Sequence, residues 1–319
     1  MKSELHRHFS GATSPGTVYR IFLEQGVDIS KQEVEKIMHG DSNNYTFDGF
    51  LNRFKIFDKI KWTKDVVRQV ASQVVWDIAA ERINYFEMKI SIDRYVEHLR
   101  IPPEEVIQLF YSALADEVEK WDIQFGIILA LKYEADKEKQ TRWSKIIEDP
   151  DTARLVVGVD LVGQEEAFDV DFYIPIFKEW KEAGKGLEAH VGESQTAQNV
   201  VDAVTKLHVN RIAHGIKIVD YPEIMKLVID KNVCLDVALT SNIQTGIVKT
   251  IAEHPVKRLL DAGVQITIGT DDPTILQTTL DNEYQLLQSS FNVSEKRLFD
   301  IMENSIKYAF TDGSACFLL

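Results

Sequence analysis

The segment Val264-Gln265-Ile266-Thr267-Ile268-Gly269-Thr270-Asp271-Asp272-Pro273 runs as a short apolar strand and stops abruptly on two carboxylates and a proline. A run of this kind, near-continuous in apolar and β-branched residues, belongs to a parallel strand covered by helices on its outer face. Seven similar runs precede it: Glu4–His8, Asn84–Ile90, Gln124–Leu131, Leu155–Leu161, Leu187–Val191, Asn210–Ala213 and Val233–Val237. Between them lie helical patterns. In Lys64–Arg82 the apolar residues Val67, Val70, Ala71, Val74, Val75, Ile78 and Ala79 fall at helix spacing. Pro103–Lys120 opens on a proline, an accepted first-turn residue. Pro222–Lys231 and Val256–Ala262 are shorter helices, the latter followed by Gly263.

Eight strands alternating with helices predict an α/β chain closed into a (β/α)8 barrel of TIM type, with a doubly wound sheet as the alternative arrangement. The stretch from Thr13 to Trp62 is too long for one connection and reads as extra helices inserted after the first strand, a helical cap at about 13–62. At roughly 150 residues per domain, 319 residues suggest about two domains, but single α/β barrels reach about 250 and beyond. No linker or low-complexity tract interrupts the chain, so residues 1–319 read as one barrel domain.

Lys+Arg 36 against Asp+Glu 50 gives a net charge of −14, which argues against nucleic acid as the main partner. The composition, 45% hydrophobic and 27% charged, is that of a folded globule and not of a disordered chain. The two cysteines, Cys234 and Cys316, are too few for a disulfide scaffold, for a Cys-based zinc ribbon, or for the zinc enzymes that use a P-C-x-x-C pair. One disulfide between them stays open. Met1-Lys2-Ser3-Glu4-Leu5-His6 holds no stretch apolar enough for a signal peptide, and no run approaches the ~20 residues of a membrane span. The expectation is a cytoplasmic protein without a membrane partner.

A barrel makes a demand on the unusual residues: chemistry should sit at the C-terminal ends of the strands, on one rim. His6 and His8 close the first run, Gly163 follows the fourth, His190 closes the fifth with Glu193 three residues on, His214 follows the sixth, and Asp271 and Asp272 follow the eighth. In a strand, residues two apart face the same side, so His6 and His8 can bind one metal together. His190 can bind it from its strand end, while Glu193 reaches a substrate beside it. Each element has a plainer reading: a surface His-Arg-His patch, a buried His with a solvated Glu, a structural His at a strand end, an Asp-Asp-Pro turn. What favours chemistry is their placement on one rim. His39, His98, His208 and His254 read as surface or structural, Glu165-Glu166 as a solvated loop, and the aromatics Tyr45, Phe47, Phe50, Phe54 and Phe57 as core that can also wall a pocket.

These motifs together resemble the adenosine deaminase family of metal-dependent hydrolases. The resemblance runs in order from Glu4-Leu5-His6-Arg7-His8-Phe9-Ser10-Gly11 through Phe86-Glu87-Met88-Lys89, Asp160-Leu161-Val162-Gly163, His190-Val191-Gly192-Glu193, Arg211-Ile212-Ala213-His214-Gly215 and Leu239-Thr240-Ser241-Asn242-Ile243-Gln244-Thr245-Gly246 to Gly269-Thr270-Asp271-Asp272-Pro273. It implies a distorted α/β barrel that deaminates a 6-aminopurine nucleoside to the inosine-type product and ammonia. It also implies one Zn2+ held by His6, His8, His190 and Asp271. Glu193 would be the proton donor to the ring, and His214, as a cation, would orient the attacking water. Asp272 would accept a hydrogen bond involving N7, and the Gly163 N–H would meet N3.

Two positions depart from the family pattern. Ser10 stands where members acting on adenosine usually carry Asp for the sugar 5′-hydroxyl, and a neutral Ser cannot make that charge-assisted bond. Lys89 stands where Arg is common. The first departure opens other substrates: a sugar-modified adenosine, free adenine, or an aminofutalosine-like nucleoside. The segment Asn43–Trp62 would shape the sugar pocket. A nucleoside-binding protein without catalysis is the competing class.

Overall fold

The computed structural model describes residues 1–40 and 45–311; Cys316, and with it the Cys234–Cys316 pairing, lies outside the described residues, as does Asn43. Eight parallel strands follow one another in sequence order: β1 Ser3–His8, β2 Tyr85–Ile90, β3 Gln124–Lys132, β4 Gly158–Val162, β5 Gly186–Val191, β6 Arg211–His214, β7 Cys234–Val237 and β8 Ile266–Ile268. The arrangement is the expected barrel, not a doubly wound sheet, because consecutive strands pair throughout and the last returns to the first. That return is made just beyond β8, where Arg7 pairs with Asp271.

All eight runs read from the sequence become strands, with small shifts at their ends. The largest is at β4, where Leu155-Val156-Val157 approaches the sheet without joining it and Val157 donates its N–H to the Ile127 carbonyl. The helix read over 64–82 spans Lys64–Ala80, started by Thr63, whose hydroxyl accepts from the Val66 N–H at 3.2 Å. Between β1 and that helix lie the helices Pro15–Glu24, Lys31–His39 and Phe47–Arg53 and the 3-10 segment Phe54–Lys59. They are anchored by fully buried Val18, Ile21, Phe22, Val34 and Met38. Among the described residues, no helix is long and apolar enough to cross a membrane.

The barrel interior is not uniformly apolar. Lys89 pairs with Asp160 (2.7 Å) and Glu188 (3.0 Å), and Arg211 pairs with Glu188 (2.8 Å) and Glu87 (2.6 Å), all without exposure to solvent. Removing one member would strand a buried charge, so the layer holds as a unit beneath the rim. It fixes the strand ends on which the site is built.

Candidate active site

His6 and His8 point to the same side of β1, His190 comes from β5 across the barrel, and Asp271 follows β8. Their ligand atoms lie within 4.8 Å of one another. His6 Nε2 is 3.0 Å from His190 Nε2, and His8 Nε2 is 3.3 Å from it. Asp271 Oδ1 is 3.4 Å from His6 Nε2 and 3.3 Å from His8 Nε2. Ligands bound at 2.0–2.1 Å in a tetrahedron around zinc stand about 3.3 Å apart. Four of the six ligand pairs stand at 3.0–3.4 Å, close to that spacing, and the whole set lies within 4.8 Å; three converging imidazole nitrogens with a carboxylate are better satisfied by a cation than by one another.

Neighbouring groups aim these ligands. His190 Nδ1–H donates to Asp160 at 3.1 Å, which leaves the Nε2 lone pair facing the cluster. Tyr133 donates its hydroxyl to the His190 carbonyl. Ser241 Oγ donates to Asp271 Oδ2 at 2.7 Å, so Oδ1 is the oxygen left to the imidazoles. Asp271 and His214 both hold positive φ, +62° and +64°. Left-handed backbone at two non-glycine rim residues is strain that the surrounding packing maintains.

Glu193, His214 and Asp272 stand beside the ligands. His214 Nε2 is 3.6 Å from Glu193 Oε1 and 3.8 Å from Asp271 Oδ2. Burial first, then the Asp271 and Glu165 carboxylates, hold the Glu193 carboxyl well above the usual carboxylate range. Burial and then Asp271 do the same to Asp272. The His214 ring is pushed well below the usual imidazole value, mainly by burial. The ring is only 1% exposed, and burial disfavours its charged form.

The reading of Glu165 as part of a solvated loop is overturned. Its side chain is 3% exposed and accepts the backbone N–H groups of Gly192 (2.6 Å), Glu193 (3.2 Å), Ser194 (2.9 Å) and Gln195 (2.9 Å), with Asn199 Nδ2 at 2.9 Å. One carboxylate thus clamps the turn that carries Glu193. Gly192 is required in that turn: its φ is +65°, and a Cβ there would come within 2.6 Å of Val200.

The rim opens into a cavity of about 570 Å³, within the range of small-molecule sites. Ser10, Gly163, Glu193, His214 and Asp272 line it, as do the ligands His8, His190 and Asp271; His6 lies beneath, fully buried. Phe47, Phe50 and Phe54 wall it from the inserted segment, whereas Phe57 is buried core. Gly11 is needed next to it, since a Cβ there would overlap Asp272 Oδ1. The mouth also carries Lys55, Arg94, Lys132 and Lys139, with the carboxylates Asp58 and Glu134 among them. Two further residues reach the site without touching the cavity. Asn242 contacts His214, and His254, read as surface or structural, is buried against Asn242. Their sequence context carries no signal of this beyond the Ser241-Asn242 pair within the quoted motif.

Comparison with known proteins places this geometry. The family model described as adenosine deaminase matches residues 1–315. An adenosine deaminase of Clostridium botulinum (strain 657 / Type Ba4) is 30% identical over 324 residues, covering 98% of this chain and 95% of that one. Among solved structures, the adenine deaminase from Arthrobacter aurescens superposes with a TM-score of 0.87 at 20% identity, covering 98% and 94% of the two chains. The arabidopsis ADAL complexed with IMP gives 0.84 at 22% identity, covering 98% and 93%.

Proposed function

We propose, from the premise that this chain belongs to the adenosine deaminase family, that it hydrolyses the 6-amino group of a purine nucleoside in the cavity above β1, β5 and β8, with release of ammonia. His6, His8, His190 and Asp271 would hold one Zn2+, which when bound supplies nucleophilic water at neutral pH by lowering its pKa to about 7.

This chain's residues do the rest. Glu193, protonated, donates to purine N1, which takes the negative charge off the ring and makes C6 electrophilic. As a carboxylate it then receives one proton of the attacking oxygen and passes it to the departing amino group; as the C–N bond breaks and C6=O forms, the second proton of that oxygen returns to Glu193, so that no net proton is consumed. His214, set between Glu193 and Asp271, hydrogen-bonds the attacking oxygen and holds it on the C6 side. N7 carries a lone pair and accepts, so in this reading Asp272 donates to it from a protonated carboxyl, the form that burial and then the Asp271 charge favour, in place of the acceptor role first expected. The Gly163 N–H would meet N3.

The observation that carries this reading is the convergence of the His6, His8 and His190 nitrogens and the Asp271 carboxylate at 3.0–3.4 Å beside a buried Glu193. The test is to incubate metal-loaded protein with adenosine and related aminopurines and follow ultraviolet absorbance and ammonia. No turnover of any of them sinks the proposal and favours a non-catalytic nucleoside-binding protein.

One observation favours a particular substrate class. Lys132 ends β3, and Ser10, Lys55, Arg94 and Lys139 come from the segments after β1, β2 and β3, so all five lie in one sector of the rim. There four cations face two carboxylates on a chain whose net charge is −14. A neutral Ser10 with a basic sector suits an adenosine carrying an anionic group on its sugar, a phosphate or a carboxylate, better than unmodified adenosine. Free adenine, which would leave this sector unused, is the contrasting member of a substrate panel.

A further inference from the structure

His254 is 3% exposed and follows the 3-10 segment Ile251–Glu253; neither it nor Asn242 lines the cavity. The backbone N–H of Val256 donates to His254 Nδ1 at 3.1 Å. A backbone N–H can only donate, so this nitrogen carries a lone pair. Burial keeps the ring neutral, its pKa pushed down to about 3. The one ring proton is therefore on Nε2, which lies 3.1 Å from Asn242 Oδ1 and donates to it.

That bond sets the Asn242 amide. With its oxygen turned to His254, its Nδ2 faces His214 Nδ1 at 3.1 Å. An amide nitrogen also only donates, so His214 Nδ1 accepts, and the proton of His214 sits on Nε2. This is the nitrogen directed at Glu193 and Asp271. Were the proton on Nδ1 instead, Nε2 would turn a lone pair toward the ligand cluster, and His214 would compete for a cation instead of donating a hydrogen bond.

We propose that the chain Val256–His254–Asn242 fixes the Nε2–H tautomer of His214, which makes Asn242 and His254 positioning residues for the hydrolysis. The use made of His214 rests on the deaminase reading; the tautomer itself does not. The relay runs from a main-chain N–H outside the site to the reacting edge through three hydrogen bonds whose directions leave no second assignment. It reaches His214 from the side away from Glu193, and it gives His254 a task that its distance in sequence from the rim motifs conceals.

The test is nitrogen NMR of protein labelled with 15N-histidine, metal-free and zinc-loaded, with signals assigned by their loss in His214→Asn and His254→Gln. Both rings are expected to be protonated on Nε2. Asn242→Asp puts an acceptor against His214 Nδ1. It should move the proton to that nitrogen and lower kcat at least ~100-fold with KM little changed, since a wrong histidine tautomer costs up to about 10⁴ in kcat elsewhere. His254→Gln keeps a donor at the Nε2 position and should keep both tautomer and rate. His254→Leu frees the amide to rotate and should cost roughly tenfold in kcat, the scale of a lost neutral hydrogen bond. A wild-type His214 protonated on Nδ1, or an Asn242→Asp protein with unchanged tautomer and kcat, overturns the proposal. If Asn242→Asp does not fold, the wild-type spectrum and the two His254 variants decide. Absent turnover with the expected spectrum removes the deaminase reading alone; normal turnover with the other tautomer removes the relay alone.

Discussion

Asp271 donates its backbone N–H to the carbonyl of His6 at 2.8 Å, and its own carbonyl accepts the N–H of His8 at 2.9 Å. These are the bonds that bring the end of β8 back to β1, and the three residues they join are three of the four candidate ligands. Barrel closure and assembly of the ligand set are therefore one event. The left-handed backbone at Asp271 is the local cost of turning its carboxylate inward at that seam.

A cation at this seam should stabilise the whole barrel. With zinc at a thousandfold excess over its Kd the gain is about 4 kcal/mol, or about 6 °C in Tm for a chain of this length. Chelation should remove that increment, and His190→Ala should abolish the response to zinc, while the lost Asp160 bond and the truncated buried ring lower the metal-free Tm separately. Calorimetry with and without chelator, alongside metal analysis, checks this. A Tm indifferent to zinc would show that the cluster does not bind it.

Glu193 must start the reaction protonated, and burial, then the Asp271 and Glu165 carboxylates, raise its pKa. The competent form is thus complete at low pH relative to that raised value and is lost as pH rises through it. The profile of kcat/KM should fall on the alkaline side, well above the usual carboxylate range. Glu193→Gln should keep zinc, lose at least ~10²-fold in rate, and lose the alkaline limb with it. Near-normal rates in this variant would place the proton donor elsewhere.

The barrel could be read from the sequence because a strand covered by helices must be apolar along most of its length, as in Ile266–Ile268 or Gly158–Val162. The rim could be read because histidines and carboxylates that each have a structural reading alone fall together at the C-terminal ends of the strands of one barrel. Glu165 could not. Its partners lie about thirty residues on, and only the packing of the loop after β4 against the turn after β5 shows that the carboxylate faces inward. The pairing of Lys89 with Asp160 and Glu188, and of Arg211 with Glu87 and Glu188, is hidden for a similar reason. A charge inside an apolar run shows that a partner is needed but not which one.

Glu165 yields its own prediction. Glu165→Gln replaces one accepting oxygen by an NH2 that faces backbone donors, so several buried N–H groups lose their acceptor. The expected cost is about 2–3 kcal/mol of stability, read by urea unfolding. Because the clamp holds Glu193 and not the ligands, kcat should fall while zinc content stays at one per chain. Loss of zinc with kcat per bound metal unchanged would assign the clamp to the metal site instead.

The basic sector separates substrates most sharply. Ser10 and Arg94 both line the cavity, and Arg94 is held by Asp58 at 3.0 Å, leaving the rest of its guanidinium for a ligand. Ser10→Asp adds a negative charge and an acceptor on the sugar side, so kcat/KM for adenosine should rise relative to that for a 5′-phosphorylated or 5′-carboxylated adenosine. Lys132→Glu and Arg94→Glu should lower the anionic substrates by about tenfold each through KM, an effect that shrinks with added salt because the groups are partly solvated. Adenosine itself should change little in these two variants. An unchanged preference in all three would show that the sugar does not lie along β1 to β3, and the substrate would then be sought among bases that leave this sector empty.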